Sequence, residues 1–243
     1  MASKTKPIDI NAMADEVIVR LRTFTDRDRH AATKNYFPSA QENLGVYAAD
    51  MRLVVRDFKA RLKAEGAATV LKFALAVIAR NTMEGRQCAY EILESHKPAV
   101  AALKPAQIEQ LGKGIDNWAS VDGFACGISG PAWREGRLKD ADILRWAKSK
   151  DPWWRRAAVV STVPLNIRSR GGTGDVKRTL MVCKLVIGDE HIMVHKALSW
   201  ALRELSRVDG KAVESFLRAH DAALPSLVKR EVLRKLKTGR KYG

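Results

Sequence analysis

Apolar residues recur along the chain at three- and four-residue intervals and alternating β-branched runs are scarce, so the pattern predicts helices almost throughout. Segments with this periodicity lie near residues 9–23, 27–37, 46–64, 66–80, 82–96, 105–114, 116–128, 138–149, 152–162, 173–187, 189–207, 210–221 and 224–238. Their boundaries carry recognisable signals. Asp9 can cap the first helix, Pro98 and Pro105 stand where helix starts tolerate proline, and Asp151-Pro152 places a cap before a first-turn proline. Glycines 45, 66, 188 and 210 punctuate segment ends.

Three segments present two different faces. In HIMVHKALSWALRELSR, residues 191–207, Val194, Ala197, Leu198, Ala201 and Leu205 form a core stripe. Lys196, Trp200, Arg203 and Arg207 gather roughly 145° away, at about 100° per residue. A tryptophan among three cations suits a ligand with both phosphate and planar or sugar surface, or a surface indole packed by cationic stems. In DPWWRRAAVVS, residues 151–161, Ala157, Val160 and one tryptophan can face the core, leaving at least one arginine outward. Its planar fork matches two phosphate oxygens. In DNWASVDGF, residues 116–124, Trp118 and Asp122 are one helical turn apart beside an apolar stripe of Val121, Phe124 or Ala125, and Ile128. Asp122 is either a cap or ion-pair partner of the ordinary kind, or a carboxylate awaiting a transient positive charge.

Short helices joined by short loops, with basic charge spread over successive segments, predict an all-α stack of antiparallel helical pairs, a HEAT-like α-solenoid with a concave basic face. The expected organisation is a single domain over 1–243 with flexible ends at 1–8 and 239–243. The 243 residues include 43 Lys and Arg against 27 Asp and Glu, a net charge of +16, which points to a polyanionic partner. No apolar run is long enough to cross a bilayer, and the first residues show no secretory pattern. The expectation is a cytoplasmic monomer without membrane contact.

The remaining candidate chemistry is weak. Cys88, Cys126 and Cys183 have neither paired spacing nor a histidine at ligand distance, and read as buried thiols. His191 and His195 have metal-ligand spacing, but no carboxylate completes the pattern and no third ligand is evident. No metal and no cofactor are expected. IRSRGGTG, residues 167–174, lacks the lysine and preceding strand of a phosphate loop and reads as a flexible basic loop.

WASVD, WWRRAAVV and KALSWALRE, in that order, resemble the bacterial DNA alkylation repair enzymes of the AlkD type, alkylpurine DNA glycosylases built from HEAT-like repeats. The resemblance is clearest from Asn117 to Lys237 and extends more weakly to KNYFPSAQENLGVYAADMR. It implies that Asp122 is the catalytic carboxylate, with Trp118 and Trp200 as its aromatic neighbours and Arg156 as the phosphate-binding arginine. Arg203 matches a further backbone-contacting arginine, and Arg155 and Lys196 join the expected DNA-binding set. The implied reaction removes N3- or N7-alkylated purines from duplex DNA without a deep base pocket, leaving an abasic site. Ala32 stands where some members carry an aromatic residue, Ala119 where an acidic residue often follows the tryptophan, and the 170–174 loop is longer than usual. Two other readings remain: a non-catalytic HEAT-like module that binds damaged or branched DNA, and a helical scaffold for an acidic protein.

Overall fold

Proline and cap residues decide where the helices begin. In a computed structural model of the chain, which describes residues 8–34, 36 and 38–240 and only the backbone of Lys34, Asp9 accepts a hydrogen bond from the Ala12 N–H and opens the first helix. Asp151 does the same for Trp153, with Pro152 in the first turn of its helix. The expected flexible ends lie outside the described residues apart from Ile8, Gly239 and Arg240, as do Asn35 and Phe37 of the weaker stretch of resemblance.

The described residues form sixteen α-helices and no strand, with one isolated bridge between Glu42 and Thr82. None of these helices is long and apolar enough to cross a membrane. The chain falls into two compact units, 1–116 and 117–243. In the first, α1 (Ile10–Arg22), α3 (Ala48–Leu62), α4 (Ala67–Ile78) and α5 (Met83–Ser95) pack on one another, with α2 (Arg27–Lys34), α6 (Lys97–Ala101) and α7 (Pro105–Gly112) completing the unit. Phe58 and Phe73 stack at 5.8 Å in its core.

In the second, α8 (Trp118–Phe124) runs through a π-helical turn (Ala125–Ser129) into α9 (Gly130–Arg134). α10 (Asp140–Ala147), α11 (Pro152–Val160), α12 (Val163–Asn166), α13 (Val176–Leu185), α14 (Ile192–Leu205), α15 (Gly210–Ala219) and α16 (Ser226–Thr238) follow. α11 packs on α8, α10 and α14, and α14 packs on α13 and α16. Within each unit, helices bury their apolar stripes against near neighbours, the local arrangement of a helical-repeat fold. The stripe expected in α14 is fully buried at Val194, Ala197, Leu198, Ala201 and Leu205. Cys88, Cys126 and Cys183 are buried free thiols, and burial pushes the Cys183 thiol up to about 12.

A buried cation organises the first unit. Arg86, only 3% exposed, donates from Nε to Gln41 Oε1 (3.0 Å), from Nη1 to the Tyr90 hydroxyl (3.1 Å) and the Leu111 carbonyl (3.3 Å), and from Nη2 to the Lys113 carbonyl (3.1 Å). Leu111 and Lys113 lie at the C-terminal end of α7, where orphan carbonyls carry partial negative charge. Gln41 in turn donates to Asp116 (2.8 Å), which also accepts from the Ala40 N–H (2.6 Å). The segment before α3 is thus tied to the chain just ahead of α8. Replacing Arg86 with Leu removes four hydrogen bonds from a charged donor, of which those to Gln41, Tyr90 and Leu111 are buried and contribute about 1.5–3 kcal/mol each. Arg86→Leu is expected to lower the urea midpoint of unfolding strongly, and a midpoint close to the wild type's would count against this role.

Candidate active site

Asn117 sets the start of the helix that carries the site. It is fully buried, its Oδ1 accepts from the Ser120 N–H (2.9 Å), and its Nδ2 donates to Ser120 Oγ (3.0 Å). This cap makes Trp118 the first helical residue and places Asp122 one turn on. Val121, Phe124, Ala125 and Ile128 are fully buried, as the apolar stripe predicts. Trp118 and Asp122 are half-buried beside that stripe.

Three residues after Asp122, at Ala125, the helix widens into the π turn, a local departure common at functional positions. Close approach to α12 holds it there. A Cβ on Gly130 would lie 2.3 Å from Pro164 Cγ and 2.7 Å from the Ser161 carbonyl, so only glycine fits. Ser129 Oγ and Ser161 Oγ hydrogen-bond at 2.7 Å across the same contact. Beneath, Trp154 meets Trp146 with ring centroids 4.8 Å apart and Phe124 at 5.9 Å, which supplies an apolar floor.

Asp122 is not isolated, contrary to the impression given by an acid among small and apolar residues of a basic chain. Arg156 donates to its Oδ1 from Nε (3.0 Å) and from Nη2 (2.8 Å), and to its Oδ2 from Nη2 (2.9 Å). Arg156 Nη1 donates to the Met193 carbonyl in the first turn of α14. Nor is Arg156 the outward arginine its segment suggests: its side chain is 6% exposed, that of Asp122 19%. Burial pushes the Asp122 carboxyl up to about 6, although Arg156 beside it pulls the other way.

Arg155, the preceding residue, is placed differently. It binds Asp189 through Nε and through Nη2 (3.1 Å), and its Nη1 donates to the carbonyls of Ser149 and Lys150 (both 3.0 Å). Burial raises the Asp189 carboxyl too. Here, however, Arg155 and the His191 N–H (2.9 Å) outweigh burial and hold the group below its usual range. His191 Nδ1 accepts from the Met193 N–H and His195 Nε2 contacts the Asp189 carbonyl. Both histidines therefore serve the start of α14. Among the described residues no group of three or more His, Cys, Asp or Glu is arranged to hold a metal ion.

Along α14, Met193, Lys196 and Trp200 fall within about 60° of one another at 100° per residue. The carbonyl that Arg156 grips thus begins the face that carries exposed Lys196 and half-buried Trp200. Arg203 sits deeper, 8% exposed, with its Nε donating to Ser199 Oγ (3.2 Å) and 3.6 Å from Glu231 of α16. Ser199 donates to the same Glu231 at 2.6 Å. Met193 acts through its backbone and is invisible to residue-type reasoning. Asp189 was signalled only by its place after Gly188, just ahead of a helix start.

The raised Asp122 pKa has a definite sign for stability. An unfolded aspartate titrates near 3.9, so the folded protein binds the extra proton between about pH 4 and 6. Stability from this group is present below about pH 4 and is lost as pH rises through about 6. Asp122→Asn is expected to remove that component, which calorimetry across this range checks. Arg156→Ala strips a buried carboxylate of its partner and is expected to cost about 3–5 kcal/mol at neutral pH, less under acid conditions where Asp122 takes a proton.

No curated protein matches the chain. A family model described as DNA alkylation repair enzyme matches residues 17–236, spanning both compact units, and the chain belongs to that family.

Proposed function

We propose that this protein is a DNA glycosylase that hydrolyses the N-glycosidic bond of cationic N3- or N7-alkylpurines in duplex DNA and leaves an abasic site. The observation that carries the reading is the Asp122–Arg156 pair. A carboxylate pushed up to about 6 by burial is held by an arginine fork, on the helix face that carries Trp118. The family, the net charge of +16 and the five residues of the resemblance support the same conclusion.

An alkylated purine already carries positive charge and leaves without protonation. The bond between C1′ and the base breaks, its electron pair goes to the purine nitrogen, and the charge passes to the deoxyribose as an oxocarbenium ion. Asp122 stabilises that charge and takes a proton from the water that attacks C1′. With a carboxyl poised near 6 the proton is then released to solvent. The indole faces of Trp118 and Trp200 attract the cationic sugar or base. Arg156 fixes the flanking phosphate and so keeps the sugar in register. Its Nη1 retains a second N–H beyond the bond to Met193 for that purpose. Lys196 adds positive charge one turn before Trp200. Arg155 and Arg203 support the DNA-binding surface from their places against Asp189 and Glu231.

One observation favours the alternative of a non-catalytic module for damaged or branched DNA: Asp122 is already ion-paired with Arg156. Base release decides between them. Purified protein incubated with methylated duplex DNA should liberate alkylpurine, and DNA binding without release overturns the glycosylase reading. Asp122→Asn should lower single-turnover excision by at least about 10²-fold with DNA affinity kept or improved. Wild-type excision should fall about tenfold per pH unit below roughly pH 6, because the working form is the carboxylate.

A further inference from the structure

We propose that the turn Arg168–Gly174, together with Arg207, forms a second contact for the DNA backbone, remote from the reacting sugar. The proposal rests on the reading of the Arg156–Trp200 face as the lesion side. These residues border a cavity of about 390 Å³, with Arg168, Ser169, Thr173, Glu204 and Arg207 on its wall. Two guanidinium groups and two hydroxyls against one carboxylate leave a net positive, donor-rich hollow. Arg207 meets Glu204 at 3.6 Å with its side chain 62% exposed. An exposed pair of this kind is worth about 0–1 kcal/mol, so exchanging it for a phosphate costs little.

The turn is a built element, where the sequence suggested a flexible loop. The Gly174 N–H donates to the Leu165 carbonyl (2.9 Å), the Gly172 N–H to the Ile167 carbonyl (3.0 Å), and Arg134 Nη1 to the Arg170 carbonyl (2.7 Å). Gly171 and Gly174 have φ of 79° and 97°, and a Cβ on Gly172 would lie 2.4 Å from the Pro164 carbonyl oxygen. The backbone thus holds Arg168 and Ser169 at a fixed place on the cavity rim.

The end of α14 points to the ligand. Arg207 stands two residues beyond Leu205, the last residue of the helix whose outer face carries Lys196 and Trp200. The twelve helical steps from Met193 to Leu205, at 1.5 Å each, place that end roughly 18 Å from the carbonyl that Arg156 grips. On a duplex with 3.4 Å between phosphates of one strand along the axis, that is about five base steps. A duplex lying along α14 spans both places.

The test measures binding of a plain 24-base-pair duplex to full-length protein over a range of salt, with Arg168→Ala/Arg207→Ala beside the wild type. Each lost phosphate contact should lower the magnitude of the slope of log affinity against log salt by about 0.9, so a drop of about 1–2 is expected. A return toward the wild-type slope is expected in Arg168→Lys/Arg207→Lys, which keeps the charges. A duplex cut back to about four base pairs on the relevant side of the lesion should bind wild type and the alanine variant alike. An unchanged slope overturns the proposal, as does tight binding of inorganic phosphate that these substitutions abolish without any effect on DNA. If the slope falls while the wild type releases no alkylpurine, the glycosylase reading fails and this contact stands. If the slope is unchanged and excision is normal, this contact fails and the glycosylase reading stands.

Discussion

One ion pair joins three helices of the second unit. Arg156 leaves α11 and reaches α8 through Asp122 and α14 through the Met193 carbonyl, so a single guanidinium fixes the relative places of the residues on either side. Its planar fork can do this because it offers several donors in one fixed geometry. The arrangement has an electrostatic tension built into it. Burial raises the energy of the charged carboxylate, the arginine lowers it, and the first effect prevails. In the proposed reaction that balance is useful, because a carboxylate whose charge is incompletely compensated has more to gain from an oxocarbenium ion arriving beside it.

The adjacent arginine shows what complete compensation looks like. Asp189 is less exposed than Asp122, with side chains at 4% and 19%, yet its carboxyl is held low. The difference lies in depth and in the donors: Asp122 has more protein packed around it, so burial raises its carboxyl by more than Arg156 lowers it. Asp189 receives a backbone N–H as well as its arginine and stands at the positive end of α14, whereas Asp122 lies inside a helix and has no such help. Consecutive residues of α11 therefore hold one pair that fastens structure and one that remains chemically poised. Depth among protein atoms, together with the backbone N–H, distinguishes them.

Much of this was legible in the sequence where periodicity is the signal. The stripe of α14, the cap at Asp9 and the Asp151-Pro152 start follow from spacing and residue type, and the structure places them as read. The short helices α6, α9 and α12 escaped the periodic reading because each spans only four or five residues, with proline in its first turn at Pro98, Pro131 or Pro164. Such segments are too short to show a repeat, and proline reads equally as an ending. At the candidate site, residue types and spacing drew attention to Trp118, Asp122 and Trp200, and the family resemblance singled out Arg156 of the arginine pair. The ion pair between Asp122 and Arg156 was hidden, because it joins positions 34 residues apart. The depth of Arg203 was hidden too, since the helical wheel of α14 does not reveal that α16 brings Glu231 against it.

The π turn after Asp122 has a consequence for how this helix tolerates change. Its wider ring accommodates one residue more than an α-helical turn, so the surplus residue is taken up between Asp122 on one side and Gly130 on the other. Removing a single residue between Ala125 and Ser129 would let the helix relax to regular hydrogen bonding. Asp122 would then keep much the same phase relative to the tight contact at Gly130, because the tightening offsets the roughly 100° that the lost residue carried. The stretch of small and apolar residues thus tolerates a change in its length that a regular helix would pass on to the carboxylate as a rotation.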